Sequence, residues 1–189
     1  YQDENKENSL FSHQFYFSTA QYIEYEIQLS LSENGYKKKF NNQFENIKKN
    51  VQVTLINANV HCLSENSDRS LRNSICEQQR NHSLEIKDYI TTQLPNFHEF
   101  YYIGHSRMGL GLGLGPFSPE YTFKLEFYND QEVGNLNKVS LVSCDSLKYY
   151  GSIFFQLKQV KFDTEIAPGK ITMTQALSYL KRQIQNIEN

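Results

Sequence analysis

Two short, largely apolar runs, Phe100-Tyr101-Tyr102-Ile103 and Val139-Ser140-Leu141-Val142-Ser143, are followed by turn or reactive residues. A strand with one wet face alternates apolar and polar residues. A run that is apolar throughout must be covered on both faces. This narrows the chain to a mostly parallel sheet between two layers of helices, an α/β three-layer sandwich. The first run breaks at Gly104 and presents His105; the second ends on Cys144-Asp145-Ser146. In open α/β sheets the carboxyl ends of the strands are where ligands bind. Cys144 follows His105 by 39 positions, which leaves room for the crossover between parallel strands. Adjacent parallel strands lie about 4.8 Å apart, so the two side chains are expected to share one lip. Proton transfer between them requires a sulfur-to-nitrogen separation of roughly 3 to 6 Å.

The remaining pattern assigns elements around these runs. Residues 1–20 are expected to form an N-terminal arm, polar over Tyr1 to Asn8 and ambiguous over the aromatic-rich Ser9 to Phe17, with one α/β domain over 21–189. Ile23, Tyr25, Ile27, Leu29 and Leu31 alternate with polar residues, which predicts a strand. From Tyr36, the spacing of Phe40, Phe44 and Ile47 predicts an amphipathic helix. Val51 to Ile56 is a β-branched strand running out to Asn57-Ala58-Asn59. Helices are expected over Leu71 to Gln79, Leu84 to Leu94 and Leu147 to Leu157. Strands are expected over Tyr121 to Phe127 and Val160 to Phe162. The closing helix shows an apolar face of Ala176, Leu177, Leu180, Ile184 and Ile187, capped by Thr172 or Thr174.

Composition bounds the function. Net charge is −2 and no like-charge block exceeds Lys37-Lys38-Lys39, so nucleic acid is not an expected partner. No apolar run approaches the length of a membrane span. The chain begins on Tyr1 with no signal-like segment after it, as a processed or trimmed product would. Of three cysteines, Cys62 and Cys76 could pair and leave Cys144 with a working thiol, which suits export; three reduced thiols suit a cytoplasmic chain. Both readings stay open, with export preferred by a little.

The other motifs carry less. Gly109, Gly111, Gly113 and Gly115 alternate with leucines and match no nucleotide-binding fingerprint, so no cofactor is expected. Met108 stands where a G-x-S-x-G elbow needs Gly, which argues against Ser106 as a nucleophile. His61, Cys62, Cys76 and His82 match no zinc spacing, and no metal is expected. Arg107 could bind a carboxylate in a fork, or serve a structural ion pair. The glycine-rich loop from Gly109 could be a flap facing a substrate.

The blocks "FYYIGHS" and "VSLVSCDS" resemble those of cysteine peptidases of the caspase, legumain and gingipain type, in order and in spacer. The resemblance covers mainly Phe97 to Tyr150 and implies a caspase–haemoglobinase fold. It implies a cysteine endopeptidase cleaving a peptide or protein substrate through a thioester, with Cys144 as nucleophile and His105 as general base and acid. The backbone N–H groups of Cys144 and of a residue just after His105 would form the oxyanion hole. Ser106 stands where the family usually has Gly. By the same resemblance Asn57 or Asn59 would orient the histidine. A catalytically inactive interaction module on the same fold, binding through its glycine-rich loop, is the alternative.

Overall fold

The computed structural model describes residues 11–17, 21–39, 42–57, 69–115, 118–125, 133–163 and 172–187. In chain order the elements are β1 (Phe11–Phe17), α1 (Gln21–Glu33), β2 (Lys37–Lys38), β3 (Gln43–Asn46), β4 (Val51–Asn57), α2 (Arg69–Gln93), β5 (Glu99–Ile103), β6 (Leu112–Gly113), β7 (Thr122–Phe123), β8 (Lys138–Val142), α3 (Ser146–Phe155), β9 (Lys161–Asp163) and α4 (Met173–Gln185). Seven strands form one sheet in the order β2-β3-β4-β1-β5-β8-β9, and β6 pairs with β7 in a separate ribbon. The five strands from β4 to β9 run parallel; β2 and β3 add an antiparallel edge.

The two apolar runs form adjacent central strands, as their composition requires. Along β5 the side chains of Phe100 and Tyr102 enter one core cluster, while Tyr101 and Ile103 enter the other. Val139 and Leu141 of β8 join the first cluster and Val142 the second. Helices cover both faces. On one, Ile86 and Ile90 of α2 pack with Tyr150 and Phe154 of α3. On the other, Ile27 and Leu31 of α1 pack with Ala176, Leu180 and Ile184 of α4. This is the three-layer α/β arrangement with a mostly parallel sheet that the composition of the strands demands.

Several elements differ from the sequence expectation. The alternating Ile23–Leu31 stretch lies within helix α1. Ile27, Ser30 and Leu31 face inward at helical spacing, while Tyr25 is 63% exposed. The expected helix from Tyr36 is instead a hairpin, in which Phe44 and Asn46 of β3 alternate inward and Ile47 is 80% exposed. Residues 11–17, grouped with an N-terminal arm, form β1, hydrogen-bonded between β4 and β5. The two helices expected before Pro95 are one, α2, whose inward positions Ser83, Ile86 and Ile90 continue a single stripe. The strand expected over Tyr121 to Phe127 is described only as β7, short and outside the main sheet. The expected polar arm of residues 1–8 lies outside the described residues.

Topology sets the position of a site. After β4, helix α2 crosses the opposite face from α1 and returns the chain beyond β1, to β5. The direction of winding therefore reverses between β1 and β5. A crevice opens above the carboxyl ends of two strands whose connections leave to opposite sides.

Candidate functional site at the carboxyl lip

Ile103 pairs with Val142 in the parallel ladder, and the Gly104 N–H continues it by donating to Val142 O at 3.3 Å. The next residues in register are His105 and Cys144. Both side chains therefore emerge at the same lip of neighbouring strands, with the His105 ring exposed and Cys144 half-buried.

The turn after β8 is tightly held. Ser143 and Ser146 hydroxyls lie 2.6 Å apart, and Ser146 Oγ donates to Ser143 O at 2.7 Å. Asp145, the N-cap of α3, adopts φ +52°. A left-handed non-glycine residue is uncommon and is tolerated best by Asp or Asn. It lets the chain turn from strand to helix at once, so Cys144 sits at the corner.

The turn after β5 is held as firmly. His105 O accepts from Gly113 N–H at 2.9 Å and from the Tyr102 hydroxyl at 3.0 Å. That hydroxyl also faces Gly113 O at 2.9 Å. Arg107 and Met108 both have positive φ, +48° and +52°. This reversal brings Gly109 against the Tyr149 ring, where a Cβ would lie 2.9 Å from Cδ1. Tyr150 donates its hydroxyl to Ser106 O, so α3 braces the loop from below. Burial pushes the Tyr150 phenol up to about 12, and it raises that of Tyr102 as well. Both stay neutral donors at ordinary pH. Neither tyrosine was singled out from sequence, although a Tyr inside an apolar run signals that its hydroxyl must find a partner.

The expected site residues distribute as follows. His105, Ser106 and Cys144 gather at the lip, with the Ser106 side chain buried. Arg107 turns inward: its guanidinium lies against Gly113 and donates to Gly115 O. Gly109, at φ +86°, forms the outer corner of the turn. Asn57 ends β4, and its backbone pairs with Phe17 of β1. Asn59 lies outside the described residues, as does Cys62, so the expected Cys62–Cys76 pairing has no described geometry. A cleft of about 450 Å³ lies between α2 and β4 and is lined by residues including Thr54, His82 and Tyr89.

The thiol and the imidazole share the lip, yet no hydrogen bond joins them among the described residues. A Cys–His nucleophile pair requires that contact or a close approach to it. No family model matches the chain, and no curated protein does. Among solved structures the chain is similar to NAD(P)H:quinone oxidoreductase from Methanothermobacter marburgensis, at 11% identity and a TM-score of 0.38, over 94% of this chain and 96% of that one. The expectation of a thiol protease, a hydrolase of peptide bonds, is corrected: neither a family model nor a curated protein supports it, and the solved structure named here is an oxidoreductase. Neither the peptidase nor its inactive counterpart is carried forward. A likeness at that level assigns this chain neither a fold family nor a chemistry of its own. No helix among the described residues is long and apolar enough to cross a membrane.

Proposed function

We propose that this chain is an α/β ligand-binding domain whose site is the carboxyl lip above β5 and β8. One observation carries the reading. Ile103 and Val142 close the parallel ladder of β5 and β8 two residues before His105 and Cys144, next to the winding reversal between β1 and β5, which supports a shared lip for the two side chains. Such lips collect ligands because strand ends and helix N-termini leave backbone donors directed outward. The firm turns at Asp145 and Arg107 support the same reading, since a binding site gains affinity when its walls are ordered beforehand. The imidazole offers one donor and one acceptor in its neutral form, and the thiol offers a polarisable, weakly polar surface.

The finer fold is part of the proposal. A parallel order with histidine and cysteine just past the third and fourth core strands supports a caspase–haemoglobinase-like architecture as the finer fold. A single domain over the described residues fits the same picture, with β1 included in it.

Disulfide exchange with a panel of small thiol fragments tests the lip, read by peptide mass in the native and urea-unfolded chain. We expect a subset of fragments to persist on Cys144 of the native protein at reductant levels that strip the unfolded chain, and His105→Ala to change that subset. Equal retention in the native and unfolded chains would overturn the reading.

A further inference from the structure

The corner of the sheet at β2 and β3 holds the densest run of cations in the chain: from Glu33 to Asn50, five lysines stand against two acids. Lys37 pairs with Glu45 and Asn46 with Val51, so the β2 lysines lie beside the β3–β4 turn, residues 47–50. That turn is ordered. Asn46 Nδ2 donates to Asn34 O at 3.2 Å, Lys49 N–H donates to Asn46 Oδ1 at 3.2 Å, and Asn50 takes φ +52°. Two of the lysines are committed, Lys49 Nζ to Ile187 O at 2.8 Å and Lys39 to Glu45 at 3.3 Å. Lys37, Lys38 and Lys48 are exposed, and among the described residues their ammonium groups enter no hydrogen bond or ion pair. Ile47 stands next to Lys48, 80% exposed. We propose that this corner docks on an anionic lipid surface, with Ile47 in the interfacial layer and Lys37, Lys38 and Lys48 against the headgroups.

Charge complementarity carries the first half of the argument. Of the two acids, Glu45 is held by Lys39, and Glu33 at the end of α1 is outnumbered by three exposed lysines. Each lysine close to an anionic membrane strengthens attachment about fivefold, and a few together give weak, reversible docking. Ile47 carries the second half, because it separates lipid from other polyanions. Turns favour Gly, Asn, Asp and Ser, and a β-branched side chain in this one is left with most of its hydrocarbon in water. A bilayer interface accepts hydrocarbon and cations together. Nucleic acid would stack its bases on an aromatic ring, and the rings of this corner, Tyr36 and Phe44, are buried. An acidic peptide added to the sheet edge would need a strand to follow, and β2 has two residues. The inference goes beyond the lip reading and does not rest on it.

Flotation of the whole chain with phosphatidylcholine vesicles, with and without phosphatidylserine, is the test. The chain has no tryptophan, so Ile47→Trp places a single fluorophore at the docking point. We expect binding only to vesicles that contain phosphatidylserine, and its loss at about 1 M salt, where screening confines attraction to about 3 Å. The Ile47→Trp emission should shift to the blue on docking. Lys37→Gln and Lys48→Gln should each weaken binding about fivefold. Lys161→Gln, on the opposite edge strand β9, should leave it unchanged. Ile47→Asn should weaken binding about three- to tenfold without altering its salt dependence. These positions are exposed, and circular dichroism checks that each variant is native. Equal binding to both kinds of vesicle, an unmoved Ile47→Trp emission, or the same loss from Lys161→Gln as from Lys37→Gln would each overturn the proposal. So would capture by soluble polyglutamate without vesicle binding, which would make the partner an acidic peptide.

Discussion

At the scale of single residues, glycine and tyrosine shape the lip. Gly111 has φ +135°, and a Cβ there would lie 2.5 Å from Phe123 O and 2.6 Å from Thr122 Cγ2. Both the backbone conformation and the β6–β7 contact forbid a side chain. Gly111→Ala is therefore expected to cost about 2–3 kcal/mol in urea unfolding. Gly35→Ala supplies the contrast: φ is +82°, but the nearest atom would be 3.4 Å away, so about 1 kcal/mol is expected. Equal losses at the two sites would mean that the ribbon contact contributes nothing. The tyrosines set an alkaline limit. Burial holds both Tyr36 and Tyr150 up to about 12, the first aided by the Glu99 carboxylate, whereas an unfolded tyrosine ionises near 10. Between about pH 10 and 12 the native state thus holds protons that the unfolded chain releases, and stability falls as pH rises. Melting temperature followed beside tyrosinate absorbance should show this decline; a flat stability through that window would contradict it.

At the scale of elements, the helices are started in different ways. Helix α4 has a full capping box: Thr172 Oγ1 accepts from Gln175 N–H at 3.3 Å, and Gln175 Oε1 accepts from Thr172 N–H at 2.9 Å. Thr172→Ala is expected to cost about 1 kcal/mol, and Thr172→Ser to restore most of it. Chemical denaturation of both variants checks the pair; an unaffected Thr172→Ala would show that packing of Leu180 and Ile184 alone holds the helix start. Helix α3 has no side-chain cap and starts from left-handed Asp145. Its register is set instead by the Ser143–Ser146 contact and by the Tyr150 bond to the lip. One helix is thus placed by its own sequence, the other by what it supports.

At the scale of the whole molecule, the sheet divides two cores. Leu141 is fully buried in the cluster under α2 and α3, and Leu180 in the cluster under α1 and α4. Each Leu→Ala change is expected to cost about 3 kcal/mol, from lost burial and the cavity left behind. The two sites lie in separate layers, so the double variant should be additive within about 0.5 kcal/mol. A double-mutant cycle measures this, and strong coupling would mean that the layers do not pack independently. The bottom of the sheet adds a polar tie between layers: Lys138 Nζ contacts the Tyr101 hydroxyl at 3.1 Å and Gln183 Oε1 of α4 at 2.8 Å.

What the amino-acid order determined by itself is the local code that no neighbour can reverse. Phe100 to Ile103 and Val139 to Val142 were legible as covered strands, because short, largely apolar runs bounded by turn residues leave little face for water. Their last residues had to stand at strand ends, because Gly104 and the Cys144-Asp145 pair cannot continue a ladder cheaply. The capped helix at Thr172 was legible for the same local reason. Tertiary structure decided the rest. An alternating run such as Ile23 to Leu31 contains apolar residues four apart, Ile27 and Leu31, so it satisfies a helix as well as a strand; the available face under α4 settled it. Phe40 and Phe44 are also four apart, yet β3 alternates because the edge of β4 was open for pairing. Residues 11–17 lie between β4 and β5 through pairings with residues 40 and 86 positions away, which no local window contains. The lip itself divides the same way. His105 and Cys144 announced their strand ends, but their adjacency came from parallel register, and the inward turn of Arg107 came from a left-handed loop closed on Tyr102, Tyr149 and Gly113.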